Sequence, residues 1–404
     1  MKNLLTPVAG VVLASLIVAC SKDEAYNTQI PETNQQPTTA QVTGSVFEPA
    51  LVPATDARIA QLTAPANFTV TKFADGLGKP RMLTVGASGA VYVTSRDAGT
   101  VTLLRDTNND GVAEQKQVVA NIKSVHGLTI NGNRMYLVSI NDVYVANING
   151  DGTLSEPQRI INDLPDAGQH PNRTIAFGPD GKMYITVGST CNACAEPNVE
   201  HATILQANAD GSGRKVYAKG LRNTIGFGWH PQTKEMYGFD HGIDWLGDEQ
   251  QQEEINLIKE GAFYGWPYIY GDGRYNPHPR PMGDTTYAQI LAKTTLPVLQ
   301  YEAHAAPLGM VFYTANQFPT EYQNDAFVTM RGSWNRTKPS GYKVVRVHFE
   351  NGKPVSTQDF VTGFLVDGNQ AQFGRPVGIA VQTDGSLLFS EDNNGVIYRV
   401  SYRR

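Results

Sequence analysis

The sequence predicts an all-β chain: a six-bladed β-propeller whose first and last strands share one blade. Three observations carry the prediction. Pairs of apolar strands joined by a turn recur along the chain, their spacing is close to one four-stranded blade, and helical periodicity is nearly absent. The early strand Phe68-Thr69-Val70-Thr71-Lys72-Phe73 precedes the repeats. PRMLTVGASGAVYVTS then starts near Arg81, HGLTINGNRMYLVS at His126, NRTIAFGPDGKMYITV near Asn172 and RNTIGFGWHPQTKEMYGF at Arg222. PLGMVFYTANQF, leading to DAFVTMR, starts at Pro307, and RPVGIAVQTDGSLLFSEDNNGVIYRV at Arg375. From Arg81 to His126, Arg173 and Arg222 the intervals are 45, 47 and 49 residues; the next two, 85 and 68, imply insertions. Asn131-Gly132, Asp180-Gly181, Asp210-Gly211, Asn351-Gly352 and Asp384-Gly385 supply the positive φ of tight hairpins. Pairing the early strand with the last one closes the ring and removes exposed sheet edges. A two-sheet sandwich leaves the period unexplained.

Residues 1–20, MKNLLTPVAGVVLASLIVAC, form an export signal and stand outside the fold. Leu16-Ile17-Val18-Ala19-Cys20 resembles the bacterial lipobox, which implies that Cys20 is lipidated and anchors the chain to a membrane. Ser21 after it implies sorting to the outer membrane, facing the periplasm. Residues 21–53 are rich in Thr, Gln, Asn, Pro and Ala and read as a disordered tether, leaving 54–404 as the propeller.

A net charge of −5 and a pI near 5.9 exclude a general nucleic-acid-binding face, so any anion site is local. In an exported chain Cys191 and Cys194 of CNAC read as a small disulfide, with redox and metal roles left open. No histidine follows Cys194, so covalent haem attachment is unsupported.

The innermost strand of each blade begins at the same end of the central channel. Arg81, His126, Arg173, Arg222 with Asn223, and Arg375 therefore converge there, with His304 just ahead of the fifth start. Crowded, desolvated arginines need either local carboxylates, which would tie blades together, or a bound anion, and planar guanidinium forks suit several carboxylates. Residues 240–267, DHGIDWLGDEQQQEEINLIKEGAFYGWP, combine carboxylates with glycines that free backbone carbonyls. Such oxygen donors suit calcium, with a solvated acidic loop as the alternative. Asp106, Asn108 and Asp110 stand at positions 1, 3 and 5 of a calcium-type loop with Gly111 at 6, but Gln117 replaces the bidentate glutamate at 12.

HPNR near 170, GLRN at 220–223, the HGID...GDE...EEINLI...YGWP block, APLG at 306–309, GSWNR at 332–336 and GRPVGIAV...DGSLL at 374–388 occur in order. Together they resemble the soluble quinoprotein glucose/sorbosone dehydrogenases over about residues 66–402. The resemblance implies pyrroloquinoline quinone (PQQ), a planar tricarboxylate, held over Ca2+ at the channel mouth. It implies His170 as general base, Arg222 and Asn223 against the quinone, the carbonyls of Gly242 and Ile243 on calcium, and Arg375 on a cofactor carboxylate. The glucose-oxidising members carry a lysine in the fifth blade where this chain has Arg331-Gly332-Ser333-Trp334-Asn335-Arg336, as in the sorbosone or aldose branch. Either Arg331 or Arg336 then serves the cofactor, with Arg336 slightly favoured.

The implied reaction oxidises a sugar at C1 to a lactone or acid. His170 takes the hydroxyl proton, hydride passes to the quinone, and electrons leave to an external quinone or cytochrome. His126, His241 and His304 are weaker pocket candidates, as are Trp245, Trp266 and Trp334 for stacking on a sugar. Two rivals stand beside this reading. A metal-dependent lactonase or esterase needs carboxylates and asparagines at the channel, and a non-catalytic binding propeller would bind no quinone.

Overall fold

The computed structural model describes residues 44–166 and 168–403; Cys20, the leader and the tether up to residue 43 lie outside the described residues. The chain is all-β. Six four-stranded antiparallel sheets account for most of it, each formed by strands that meander outward from an inner one. The inner strands are Leu83–Val85, Gly127–Asn131, Ile175–Phe177, Phe227–Trp229, Pro307–Phe312 and Pro376–Val381. The second strands, such as Val91–Ser95 and Leu387–Glu391, are buried along their whole length except at Arg134 in the second sheet, as strands packed on both faces must be. In the sixth sheet the outer strand is Phe68–Ala74, paired with Val396–Tyr402, so both ends of the repeat region meet in one sheet.

Among the described residues, six hydrogen bonds of one kind link neighbouring sheets, each ending on a backbone carbonyl at or beside the start of the next inner strand. Thr94 Oγ1 donates to the His126 carbonyl (2.7 Å), His126 Nδ1 to Arg173 (2.8 Å) and Thr174 Oγ1 to Ile225 (2.6 Å). His241 Nε2 donates to Pro307, Thr329 Oγ1 to Val377 (2.5 Å) and Ser390 Oγ to Arg81 (2.5 Å). The inner strands approach too closely for side chains at some positions: a Cβ on Gly378 would lie 2.4 Å from the Arg81 carbonyl oxygen, and one on Gly226 2.4 Å from that of Leu308. Gly378→Ala should therefore cost about 1–3 kcal/mol by overpacking. The check is thermal melting, and an unchanged Tm would contradict the close approach.

An insertion within the fourth sheet, between its third strand Glu253–Ile258 and its outer strand Leu299–Tyr301, carries the hairpin Ile269–Tyr270 and Arg274–Tyr275 and a short helix, Tyr287–Leu291, opened by a capping box from Thr286 and Gln289. The tether boundary needs correction. Ala50–Leu51 pairs in parallel with Ala371–Gln372, and Phe47 N–H donates to the Trp334 carbonyl (3.0 Å), so residues 44–53 pack on the folded body. Composition alone hid this, because backbone pairing needs no large apolar side chains.

Candidate active site

Antiparallel pairing sets the end of each second strand beside the start of its inner strand, so both contribute to one face. On that face lies a cavity of about 380 Å³. Arg81 and Arg375 enter it from inner-strand starts; Arg96, His241, Arg331 and Asp392 enter from the ends of second strands. Lys79, Arg81, Arg96, Arg331 and Arg375 face two carboxylates, Asp97 and Asp392, an excess of three positive charges.

Asp392 serves two arginines, pairing with Arg81 and, at 3.0 Å, with Arg331. Both cations hold its carboxyl below the ordinary range despite its burial. Arg375 donates through Nε to the Arg331 carbonyl (3.2 Å) and lies over the Tyr342 ring (5.3 Å). Burial, with Arg331 beside it, lowers its pKa to about 10, so it stays charged at neutrality. Arg96 Nε is buried without a hydrogen-bond partner among the described residues.

Asp240 organises the other wall. Its carboxylate accepts the N–H groups of Arg222 and Asn223 (both 2.8 Å) and the Thr224 hydroxyl (2.8 Å). Burial raises its pKa to about 6. Asn223 Nδ2 donates to His241 Nδ1 (3.3 Å), which fixes the amide and leaves Asn223 Oδ1 buried without a partner among the described residues. Asn172 Oδ1, also in the cavity wall, is unpartnered as well. Unsatisfied buried acceptors of this kind mark a place where a ligand or ion donor fits.

His170 stands beside Asn223: a Cβ on Gly188 would meet His170 Cβ at 2.7 Å and Asn223 Oδ1 at 2.9 Å. His170 Nδ1 donates to the Ser189 carbonyl (2.8 Å), and Ser189 Oγ donates to the Cys191 carbonyl (2.9 Å), leaving Nε2 as the acceptor. Burial, then the positive charge of Arg222, pushes its pKa down to about 2, against which the Ser189 carbonyl acts only weakly. The imidazole is therefore neutral at any working pH. Arg173 is wholly buried and clamps the same loop, donating to the carbonyls of His170 (3.1 Å) and Pro165 (3.0 Å).

A family model described as TrAA12-like matches residues 62–403. The chain belongs to the TrAA12-like family. Among its relatives, an uncharacterized protein of Borreliella burgdorferi is 31% identical, over 85% of this chain and 91% of that one. A pyrroloquinoline quinone-dependent sugar dehydrogenase of Hypocrea jecorina is 23% identical, over 84% and 90%. The calcium structure of a Trichoderma reesei AA12 enzyme superposes with a TM-score of 0.74 at 23% identity, over 85% of this chain and 98% of that one. The PQQ-bound aldose sugar dehydrogenase of Streptomyces coelicolor gives 0.61 at 19%, over 84% and 100%.

The other residues singled out in the sequence are distributed around this TrAA12-like site as follows. Arg222 does not line this cavity, although its charge acts on His170 and His241: Nε donates to the Asn192 carbonyl (3.0 Å), Nη2 to Asn192 Oδ1 (2.8 Å), and the group lies 5.6 Å from the Trp266 ring centroid. Only its neighbour Asn223 reaches the cavity wall. Arg336 is not a cavity residue either; it pairs with Glu302 (2.6 Å) and Glu249 (2.8 Å), whereas Arg331 lines the site. Cys191 and Cys194 form a disulfide that closes the turn carrying Asn192. His304 donates to the Gly247 carbonyl (2.8 Å) and His126 bridges two sheets, so both hold structure, while Trp334 lines the cavity.

Gly242 N–H donates to Glu253 (2.9 Å) and Ile243 N–H to Gln251 Oε1 (2.9 Å). Among the described residues neither carbonyl accepts a hydrogen bond, so both oxygens remain available to a hard cation. In the outer loop, oxygens of Asp106, Asp110 and Glu114 come within 4.8 Å of one another, yet they accept the loop's own N–H groups and none lines the cavity.

Lys79, Arg96, Asn172 and Asp392 were missed in the sequence. For Arg96 and Asp392 the missing signal was the strand end: like His241 and Arg331, each follows a second strand by one residue.

The buried histidines predict an acid limit to stability. Burial holds His126 well below its ordinary value and His241 at about 4. Below the unfolded value of about 6.5 the unfolded chain binds protons the native one refuses, so their stabilisation is full above that pH and fades as it falls. Glu254, raised to about 8 by burial, acts in the opposite sense. A variant isolates the histidine effect: His126→Gln should lose less Tm than wild type between pH 7 and pH 5. Equal losses would contradict it.

Proposed function

We propose that this chain is a PQQ- and calcium-dependent dehydrogenase that oxidises an aldose or sorbosone-type sugar at C1 to a lactone or acid. We take its six sheets as the blades of a closed propeller; the six inter-sheet hydrogen bonds and the pairing of Phe68–Ala74 with Val396–Tyr402 support this. One observation carries the functional reading: a cavity with three surplus positive charges lies beside a neutral histidine and two unpartnered amide oxygens. Clustered guanidinium groups in excess of the lining carboxylates suit a ligand with several carboxylates.

Arg331 and Arg375 would hold cofactor carboxylates, and Asn223 would lie against the ring. The carbonyls of Gly242 and Ile243 would hold calcium, with Asp106, Asn108 and Asp110 as a second, structural position. When bound, the quinone supplies the two-electron acceptor and calcium polarises its oxygen. His170 Nε2 takes the C1 hydroxyl proton; the Ser189 carbonyl fixes the tautomer that makes this possible, and Arg173 fixes the loop. Electrons then leave to an external quinone or cytochrome. We extend the proposal to a leader ending at Cys20, whose lipidation would anchor the enzyme to the outer membrane facing the periplasm.

The test loads the protein with calcium and PQQ and follows dye reduction across a panel of aldoses. Quinone- and sugar-dependent reduction supports the proposal. Absence of quinone binding by calorimetry sinks it and favours the lactonase or binding-module readings.

A further inference from the structure

Every cavity cation with a close acidic partner but one finds that partner inside the repeat region. Arg81 and Arg331 share Asp392, and Lys79 pairs with Asp97 at 3.0 Å. Arg375 differs. Its Nη1 donates to Glu48 Oε1 at 3.1 Å, a carboxylate 327 positions away that arrives on the segment preceding the first sheet.

That segment runs along the rim of the cavity. Ser45 Oγ meets Thr337 Oγ1 at 3.0 Å, and Phe47 N–H donates to the carbonyl of Trp334, a cavity residue, at 3.0 Å. Ala50 and Val52 donate to the carbonyls of Gln370 and Gln372 (both 2.9 Å), and Asn394 Nδ2 donates to the Val52 carbonyl (3.0 Å). Backbone bonds on both sides thus hold Glu48 over Arg375. Its Nε and Nη2 donate to the uncharged main-chain carbonyls of Arg331 and Gly332, so among the described residues Glu48 is the one carboxylate hydrogen-bonded to this guanidinium, while the charge of Asp392 acts on it without a direct bond.

We propose that Glu48 is an internal carboxylate ligand of Arg375 which an incoming ligand carboxylate displaces, so that residues 45–52 belong to the anion site and set its affinity. The proposal rests on the assignment of Arg375 to a cofactor carboxylate. Arg375 is nearly buried, its side chain 5% exposed, whereas that of Glu48 is 61% exposed. An ion pair with one partner so open to water is weak and exchangeable, while the buried guanidinium keeps its demand for an anion. Displacement needs only a side-chain rotation of Glu48 into solvent; the strand-like backbone bonds of the segment can persist. The negative charge that remains nearby still lowers anion affinity.

The experiment compares the full chain with Glu48→Gln and Glu48→Ala, titrated by calorimetry with two probes: PQQ and benzene-1,3,5-tricarboxylate. Both variants should bind each probe more tightly, by roughly two- to fivefold, the range expected when a weak exposed ion pair no longer competes. The gain should shrink as salt is raised. Unchanged or weaker binding in both variants overturns the proposal, weaker binding meaning that Glu48 holds Arg375 ready for the ligand. If wild type binds the plain tricarboxylate but no PQQ, the dehydrogenase reading fails while the comparison of variants still decides the role of Glu48. If no variant binds either probe, both fall.

Discussion

Replacing His170 with alanine should cut turnover by roughly 10²- to 10⁴-fold, the usual worth of a positioned general base. The effect should be on chemistry alone. His170 stands beside Asn223 and is absent from the charged wall, so quinone affinity measured by calorimetry should stay within about twofold of wild type. The neutral state of the imidazole adds a second expectation. With its pKa pushed to about 2 by burial and Arg222, His170 should contribute no inflection to the wild-type kcat/KM profile between pH 5 and 8. A turnover within tenfold of wild type would remove His170 from the mechanism.

Arg375→Ala should weaken PQQ binding by roughly 10- to 100-fold, the range of a lost charge-assisted hydrogen bond in a buried site. Arg336→Ala provides the contrast. Its guanidinium is committed to Glu302 and Glu249 and stands outside the cavity, so its removal should leave quinone affinity unchanged. Equal losses in the two variants would mean that the arginines act through general charge, and the assignment of Arg375 to a carboxylate would fall. The two variants therefore separate a local contact from a net-charge effect.

The converging arginines were legible from repeat starts, because a strand's beginning can be placed from its apolar run. Arg81 and Arg375 do reach the cavity. Arg222 and Arg173 share the same register yet turn elsewhere, one to Asn192 in the disulfide-closed turn, the other to the carbonyls of Pro165 and His170. Acceptors on loops decide where a long flexible side chain points, and loop positions do not follow from period. The same reason explains the exchange between Arg331 and Arg336. Four residues, Gly332 to Asn335, lie between them, and only the path of that turn tells which one faces inward.

The sequence by itself determined the all-β class, the order of the strands and the set of chemistries available, because apolar alternation and turn residues act over a few positions. Arginines and histidines at the repeat starts, with no metal-type carboxylate cluster there, already pointed to an anion, and the family resemblance named His170 as the base. Only the tertiary structure decided which cations share one cavity, which carboxylates neutralise them, and that residues 44–53 lie on the rim. Those facts depend on contacts between residues hundreds of positions apart. Such contacts are set by the packing of sheet against sheet and by backbone hydrogen bonds that leave no mark in local composition.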